Sequence, residues 1–346
     1  MSIYSCLADA ARLGSLSQGE NLAPAAAALP ATGDWQFDAS TAIGFIVGSV
    51  VTGLGLYLLV SAYFQLRYYR AQRAQSKDWK CQPQRFPTAR MWSIDLWLGI
   101  ANITGASVLS GCLAYWIYAS GHSRMYISPR GHSLLSVIGG TVLYFLITDV
   151  VIYWAHRLYH RPLPFRLIHR FHHRNTVPTA FTAFSLHPVE FLTYQSIMLV
   201  PLIFLPLNAI GVIVVLLSSH IESLIQHSGV RVFPWIPWMP STFFHDDHHR
   251  YFHVNYGQHL TLWDRLYGTL RRHGRRYGVE VFGGRGAALA GAGRDTDYFD
   301  YRRDPGPSEP SDPPPVSLAP SVPARRPEPE LFPDETTLKI EEDHVA

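Results

Sequence analysis

The feature that most restricts how this chain can fold is a run without charged residues at positions 41–65. A helix needs about 20 apolar residues to cross the hydrocarbon core of a bilayer, and this run supplies them. A second uncharged run covers residues 96–119, and a third covers 133–154 with Asp149 as its only interruption. A buried core helix is the alternative reading of such a run, but its length favours a membrane span. We therefore expect an all-α, polytopic membrane protein.

The composition supports a lipid environment and argues against nucleic-acid binding. Only 16% of the 346 residues are charged, whereas soluble domains carry about 25%. A net charge of +3 without a basic arm gives no electrostatic surface for nucleic acid. The three cysteines, Cys6, Cys81 and Cys112, lie far apart in the sequence. They predict neither a disulfide framework nor a thiolate metal site.

The distribution of basic residues predicts the orientation in the membrane. Seven basic residues lie between the first and second runs, and the positive-inside rule places that loop in the cytosol; they are Arg67, Arg70, Arg73, Lys77, Lys80, Arg85 and Arg90. Residues 121–132 then lie on the far side, and the third run returns to the cytosol. Residues 191–221 are again uncharged and contain Pro201 and Pro206. This stretch is long for one span and short for two, so we expect a proline-broken hairpin that enters and leaves on one side.

Three regions follow from these patterns: an N-terminal segment at 1–38, a membrane-embedded catalytic domain at 39–282, and a tail at 283–346. The first region lacks the basic start of a secretory signal, so no cleaved signal peptide is predicted. The tail is rich in proline and acidic residues and is expected to be disordered. Trp235, Trp238 and Trp263 are candidates either for membrane-interface anchors or for core packing.

Histidines recur with helical spacing at the cytosolic end of the third run. One pair is four residues apart, and two HxxHH groups follow, the last within FHDDHH. Residues at i, i+3 and i+4 share one face of a helix, so each group directs its imidazoles one way. A single such group is weak evidence for a metal, but three together favour a histidine-rich cap that binds metal. The eight are His156, His160, His169, His172, His173, His245, His248 and His249.

Imidazoles without thiolates suit zinc, copper, iron or nickel, so ligand type alone does not choose the metal. A catalytic zinc takes about three protein ligands, and eight histidines therefore indicate two metals. His187 and His227 are further candidate ligands. The alternative for His187 is that it caps the helix begun by Pro188, and His227 could instead end a helix before Gly229.

Carboxylates near the histidines could orient them through their outer nitrogens. Asp149 lies two helical turns before His156, on the same face. A polar residue in the bundle interior is the alternative reading for Asp149. Asp246 and Asp247 lie inside the last histidine group, and Asp264 follows it.

A histidine cluster at a membrane surface is suited to activating dioxygen against an unreactive C–H bond of a lipid. A zinc protease would instead carry HExxH, but Arg157 follows His156 here. A metal carrier, the remote alternative, should hold ionisable ligands at mid-depth within its spans. These histidines lie at span ends and in loops.

The combination of DVVIYWAHRLYH, HRFHH, HDDHH, NYG and WDRLYGT resembles the fatty acid hydroxylase/sterol desaturase superfamily over residues 145–272. The resemblance implies an endoplasmic reticulum enzyme with a non-haem di-iron centre that uses O2. It also implies electrons from NAD(P)H, commonly delivered through cytochrome b5. The eight histidines above match the superfamily's iron ligands, and His227 matches a lone histidine between its second and third groups.

Two segments are similar to those of sterol C-5 desaturases, namely VPTAFTAFSLHPVE and NYGQHLTLWDRLYGTLRR. That subfamily removes hydrogens from carbons 5 and 6 of a Δ7-sterol. The segment IQHSG is closer to C-4 methylsterol oxidases, and HDDHH and the proline-rich tail depart from both groups. Sterol or related-lipid desaturation is therefore the main functional hypothesis. Hydroxylation of a lipid or secondary metabolite, or C-4 methylsterol oxidation, is the alternative.

Overall fold

The computed structural model describes residues 37–128, 131–236 and 238–272, together with the backbone of 275–276 and 287–288. Nearly all of the predicted N-terminal segment and of the predicted disordered tail lies outside these residues. The described part is helical apart from one two-stranded antiparallel pair, β1 (Arg275–Arg276) and β2 (Ala287–Ala288).

The three uncharged runs form long helices, as predicted. They are α1 (Ala39–Phe64), α2 (Ala89–Ser120) and α3 (Leu134–Tyr159). Each begins at a polar residue whose side chain accepts a backbone N–H of the first turn, namely Asp38, Thr88 and Ser133. With one helix of the hairpin, they give four helices in the described ranges that are long and apolar enough to cross a membrane. The multi-pass membrane architecture is thus confirmed.

The predicted hairpin is present. Its first arm is α4 (Pro188–Leu199), followed by the short helix Pro201–Phe204, so the break occurs where Pro201 begins a new helical segment. The second arm is α5 (Ala209–His227), begun by Asn208, whose side chain accepts two backbone N–H groups. The second arm alone is long enough to span a bilayer. The hairpin therefore pairs a short, broken arm with a full-length one.

The hairpin tip is bound to the loop that joins α2 to α3. Tyr126 pairs with the tip as an isolated parallel bridge: its N–H donates to Leu207 O at 3.0 Å, and its own carbonyl accepts from Ala209 N at 2.9 Å. Ser123 Oγ donates to Leu202 O at 2.8 Å. We call these bonds the hairpin-tip contact. They add to the packing of α2 on the hairpin, at the end of α5 opposite to His227.

Helices α1 and α2 pack closely and support the turn that leads into the hairpin. At Gly111 a Cβ would lie only 2.5 Å from Ile46 Cα, so the helix backbones approach as they do at small-residue interfaces in membranes. The buried Tyr57 hydroxyl donates to Asp95 O at 3.1 Å and lies 3.2 Å from Phe181 O. The packing of α1 on α2 thereby fixes the 3-10 turn at Ala180–Phe184, which precedes α4.

Four of the remaining elements form the histidine-rich cap at one end of the bundle. They are the π-helical turn Phe165–His169, the short helix Arg170–His173, α6 (Thr242–Tyr251) and α7 (Leu262–Tyr267). The loop between α1 and α2 contains the short helical turns Gln65–Arg70, Arg73–Gln75 and Ser76–Trp79, and Pro162–Pro164 follows α3. An antiparallel bridge between Lys80 and Val230 ties the basic loop to this cap.

Of the three tryptophans singled out by sequence, two are exposed and one is packed. Trp235 is 97% exposed and Trp238 is 58% exposed, as membrane-interface anchors would be. Trp263 instead donates its indole N–H to Asp149 Oδ2 at 2.7 Å.

Candidate metal centre

The histidine side chains predicted from spacing converge in the cap, where they form two adjacent groups. Within each group, one ligand atom per residue lies within 4.8 Å of all the others, and every member is buried. The five-histidine group is His156, His160, His169, His173 and His248. The four-histidine group is His172, His227, His245 and His249. Nine of the ten predicted ligands are thus brought together.

The two groups share the same stretches of chain. In HRFHH and in HDDHH, the last two histidines are sequence neighbours but belong to different groups. The rings of His173 and His249, one from each group, lie 4.8 Å apart. Each HxxHH segment therefore contributes to both sites, and the sites form one continuous centre.

Backbone carbonyls fix the tautomer of four of these imidazoles. The Nδ1 atoms of His156 and His248 lie 2.9 Å and 2.7 Å from the carbonyls of Tyr256 and Val254. His249 Nδ1 is 3.1 Å from Asn175 O, and His227 Nδ1 is 2.8 Å from Ser223 O. A carbonyl can only accept, so each Nδ1 carries the proton. Each Nε2 therefore keeps its lone pair, as a metal ligand must.

One imidazole is held by a carboxylate. His169 Nδ1 lies 2.6 Å from Glu190 Oε1, and both side chains are buried. A carboxylate behind an imidazole fixes its tautomer and orientation, an arrangement common in metal sites. Glu190 lies in the first turn of α4, so the start of the hairpin directly supports the five-histidine group.

The inward-facing nitrogens have too few protein partners of their own. His156 Nε2 and His249 Nε2 are buried and have no hydrogen-bond partner within the described part of the chain. His173 Nε2 lies 3.1 Å from His248 Nε2, and His245 Nε2 lies 2.9 Å from His227 Nε2. Since His248 and His227 carry their protons on Nδ1, their Nε2 lone pairs point at other imidazole nitrogens. A shared cation would satisfy this set, and the residues fit a pair of imidazole-bound metals.

Burial favours the neutral form of most of these histidines. For six of them outside the membrane-spanning helices, burial and then the neighbouring histidines hold the imidazole pKa well below its usual value; these are His160, His172, His173, His245, His248 and His249. A metal binds the unprotonated imidazole. The site is thus prepared for a cation at neutral pH without a competing proton.

The segment between α6 and α7 positions the carbonyls that receive His156 and His248. Asn255 adopts a left-handed φ of 60°, its side chain donates to Phe244 O at 2.9 Å, and its Oδ1 accepts from Arg271 N. Asp264 accepts the backbone N–H groups of Tyr256 at 2.8 Å and Gly257 at 2.7 Å. A Cβ at Gly257 would meet Asp264 Oδ2 at 2.8 Å, so glycine is required there. The NYG and WDRL motifs thus act together to place these carbonyls.

The carbonyl that receives His249 is positioned by a buried carboxylate on α2. Asn175 donates its side-chain amide to Asp95 at 2.7 Å and 2.6 Å. Asp95 also accepts from Arg174, Thr182 and Ser185 at 2.8–3.1 Å. This network connects α2 to the four-histidine group through the backbone of Asn175.

His187 is not part of either group, contrary to the sequence-based expectation. Its Nδ1 accepts the Val189 N–H at 3.2 Å and caps α4. The helix begins at Pro188, so the preceding side chain turns back onto the first turn instead of reaching the centre. The capping alternative describes its position correctly.

The four aspartates considered for orienting imidazoles make other contacts, and those of Asp264 with the backbone of Tyr256 and Gly257 are described above. Asp149 accepts from the His259 backbone N–H at 3.1 Å and from Trp263, neither of which belongs to a histidine group. Asp247 accepts from Arg271 at 2.6 Å. Asp246 is buried, and burial raises its pKa to about 6, with Lys80 opposing the shift. Their side chains secure the cap around the centre, and backbone carbonyls and Glu190 take the orienting role.

Sequence reasoning missed several residues that support the site, chiefly Glu190, Asp95 and the buried pair His259–Glu222. His259 Nδ1 lies 2.7 Å from Glu222 Oε2. Burial alone would lower the pKa of His259. The carboxylates of Glu222 and Asp149 raise the pKa by more than burial lowers it, so the net shift is upward. The sequence offers one signal: Glu190 and Glu222 stand at the two ends of the uncharged hairpin run. An isolated carboxylate in such a place needs a partner.

A cavity of about 1930 Å³ opens from the two histidine groups into the bundle. It runs between α1 and α2 on one side and the hairpin on the other, and its wall is mostly apolar. The group members that border it are His156, His169, His172, His227 and His245. A large apolar molecule could therefore reach the centre from within the membrane region.

Comparison with known proteins finds one matching family and several similar enzymes. Residues 141–269 match the family model "Fatty acid hydroxylase". The chain is similar to the lathosterol oxidases of Rattus norvegicus, 30% identical over 235 residues, and Mus musculus, 29% identical over 235 residues. Both alignments cover 64% of this chain and 74% of the relative. It is also 36% identical over 156 residues to a Delta(7)-sterol 5(6)-desaturase of Saccharomyces cerevisiae, covering 44% of this chain and 42% of that protein. No solved structure matches.

Proposed function

The chain belongs to the fatty acid hydroxylase/sterol desaturase superfamily of iron-dependent, O2-using oxidoreductases, and from that premise we propose that it desaturates a Δ7-sterol between carbons 5 and 6. The observation that carries the proposal is the pair of buried imidazole groups at the end of a long apolar cavity. The names of the relatives supply the substrate class.

In this proposal each histidine group holds one iron ion. The five-histidine group binds the first iron and the four-histidine group binds the second. His227 is a ligand of the second iron, whereas His187 is not a ligand. The carbonyls of Asn175, Val254 and Tyr256, together with Glu190, orient the ligands from outside. Residues 39–272 then make up the catalytic unit that we describe, within the domain predicted at 39–282.

Bound iron supplies the reduction of O2 and the removal of hydrogen from an unreactive C–H bond. Desaturation takes two hydrogens from the sterol, two electrons from a donor and two protons, and it converts O2 into two waters. The protein holds neutral imidazoles in place and encloses the reacting carbons in an apolar cavity. Such positioning matters because a shift of about 1 Å can cost a large part of the rate.

Electrons come from NAD(P)H through a partner such as cytochrome b5 or a similar small donor. Three exposed arginines flank the histidines of HRFHH and would attract an acidic donor: Arg161, Arg166 and Arg170. The basic loop between α1 and α2 favours a cytosolic cap. The proposed location is the endoplasmic reticulum membrane, with the histidines facing the cytosol.

The test is to incubate membranes containing the protein with Δ7-sterols, fatty acids and sphingoid bases, NAD(P)H and 18O2, and to identify the products by mass. We expect a sterol product two hydrogens lighter that contains no 18O. A product that retains one 18O atom would contradict desaturation and identify a hydroxylase. A preparation of the His249→Ala variant controls for endogenous enzymes.

A further inference from the structure

The cavity is much longer than the part of a substrate that reacts. It borders α5 from Ala209 to His227, a rise of about 27 Å along the helix. That length approaches the hydrocarbon thickness of a bilayer, about 30 Å. A sterol inside it could point its hydroxyl toward the histidines or toward the hairpin tip. The polar groups along the cavity decide between the two orientations.

Several polar side chains near the histidine end already have protein partners. Gln195 donates to Ser110 Oγ at 2.8 Å. Glu190 Oε1 and His259 Nδ1 are used in the His169 and Glu222 contacts, and the other Glu190 oxygen has no hydrogen-bond partner among the described residues. These groups hold the wall together, and binding a ligand hydroxyl would disturb contacts that the wall needs.

His220 and its neighbour Ser219 each border the cavity with a buried polar atom, Nε2 and Oγ, that has no hydrogen-bond partner among the described residues. His220 has the longer side chain and reaches farther from the helix. Its ring packs 4.6 Å from that of Phe184, which fixes the side chain against the wall. His220 precedes His227 by two turns of α5, about 10 Å, and therefore lies on the same face. A buried polar atom with no partner costs free energy unless a ligand or water satisfies it.

We propose that His220 hydrogen-bonds the ring A hydroxyl of the bound sterol and so selects 3-hydroxysterols. This inference rests on the proposed function. Carbon 5 belongs to ring A, so the hydroxyl must lie within one ring width of the reacting carbons. His220 lies about 10 Å along α5 from His227, so carbons 5 and 6 fit between its ring and the four-histidine group. The polar residues at the other end, among them Arg124 and His132, are too far away.

The proposal fixes the position of ring A. The hydroxyl contacts His220, and carbons 5 and 6 lie between that contact and the histidine groups. The mostly apolar wall of the cavity accommodates the remaining rings and the alkyl side chain.

The experiment compares a Δ7-sterol that has the 3-hydroxyl with its 3-deoxy analogue in three purified, iron-loaded variants. His220→Leu removes the nitrogen at similar size, and His220→Gln retains a hydrogen-bonding group. His132→Leu is the matched control, a histidine removed from the far end of the same cavity. Bound iron and kcat/KM are measured for each protein with each sterol.

We expect the wild type to favour the hydroxysterol over the deoxysterol by about 10- to 100-fold in kcat/KM. His220→Leu should remove that preference, mainly by raising KM for the hydroxysterol, and His220→Gln should restore part of it. His132→Leu should keep the wild-type ratio, and iron content should be equal in all variants.

Three results would overturn the inference. One is a wild type that does not distinguish the two sterols. Another is a His220→Leu variant that keeps the wild-type preference, or that loses activity equally on both sterols, as a purely structural residue would. The third is loss of the preference in His132→Leu. A wild type that oxidises fatty acids or sphingoid bases but neither sterol would instead contradict the proposed function itself.

Discussion

The two histidine groups are built from the same motifs but are supported differently. In the five-histidine group, Glu190 places a negative charge behind His169, and two more members donate to carbonyls of the segment between α6 and α7. In the four-histidine group, the Nδ1 contacts of His227 and His249 are both to neutral carbonyls. The five-histidine group therefore has one more candidate ligand and a charged support. The contacts described for the four-histidine group are with uncharged carbonyls.

The difference also concerns the membrane. The four-histidine group takes one ligand from α5, a membrane-spanning helix, and three of its members border the cavity: His172, His227 and His245. The five-histidine group contributes two members to the cavity wall. The four-histidine group thus has the larger share of its members on the cavity wall, and the five-histidine group has the charged support. The predictions below test that asymmetry.

The largest effect is expected from removing one ligand from each group. His248→Ala and His249→Ala alter neighbouring residues that serve different groups. Both should reduce turnover to background, because each removes a metal ligand. The four-histidine group is left with three ligands and the other with four, so His249→Ala should lose more bound iron. Metal analysis of purified protein checks this, and equal iron loss in the two variants would contradict the asymmetry.

Replacing the charged support should have the next largest effect. Glu190→Gln keeps the shape and an accepting oxygen but removes the charge behind His169. Iron affinity of the five-histidine group should fall by about 10- to 100-fold, as found for similar supporting residues. Glu222→Gln is the matched control, because it changes an equivalent carboxylate–histidine contact outside both groups. Chelator competition measures the affinities, and an equal fall in both variants would show a general effect of removing charge.

The neutral support of the other group should matter less. Asn175→Ala removes the amide that anchors the backbone to Asp95, so the carbonyl facing His249 is held less firmly. We expect an affinity loss of about 10-fold, confined to the more weakly bound iron. Asn102→Ala removes another buried amide, which donates to the Phe184 and Leu186 carbonyls at 2.9 Å. This control should leave iron binding unchanged, and iron loss there would argue against a specific route through Asn175.

The free energy of unfolding of the metal-free protein should depend on pH, and both histidine groups should contribute to this dependence. Both contain imidazoles whose pKa is lowered by burial, for example His173 and His249. The unfolded chain takes up protons near pH 6.5, whereas the folded chain does not, so the free energy of unfolding should decrease as pH falls through that value. Denaturant titrations in detergent at pH 7.5 and 5.5 test the sign. Greater stability at pH 5.5 would contradict burial as the dominant cause.

The smallest effect is expected at His187. His187→Ala removes a helix cap and should lower stability by about 1 kcal/mol. Iron content and turnover should match the wild type, since the side chain lies outside both groups. Loss of one iron in this variant would restore His187 as a ligand.

Much of the architecture follows from local rules. The spans follow from uncharged length, and the convergence of each HxxHH segment follows from its spacing along a helix. The hairpin follows from Pro201 and Pro206 within a run too short for two full spans. These features depend on residues that are close in sequence, and so a sequence shows them directly.

The division into five and four histidines could not be obtained that way. His172 and His173 are adjacent, yet they join different groups because of where α3, α5 and α6 meet in space. Asp149 has the periodicity to support His156, but the backbone of His259, 110 residues later, takes its carboxylate. Glu190 acts on His169 only because α4 packs back toward the cap. Each depends on tertiary contacts that spacing does not encode.

The hairpin-tip contact has a consequence for the chemistry at the opposite end. Tyr126 ties the base of α5 to the loop beyond α2, and α5 is a continuous helix from there to His227. The position of His227 along the bundle axis is therefore set by a contact at the opposite end of α5. If the hairpin-tip contact were weakened, α5 would be free to shift along its axis. Such a shift would change which carbon of a bound lipid comes within reach of oxygen. A mutation far from both histidine groups could in this way alter regioselectivity while leaving metal content intact.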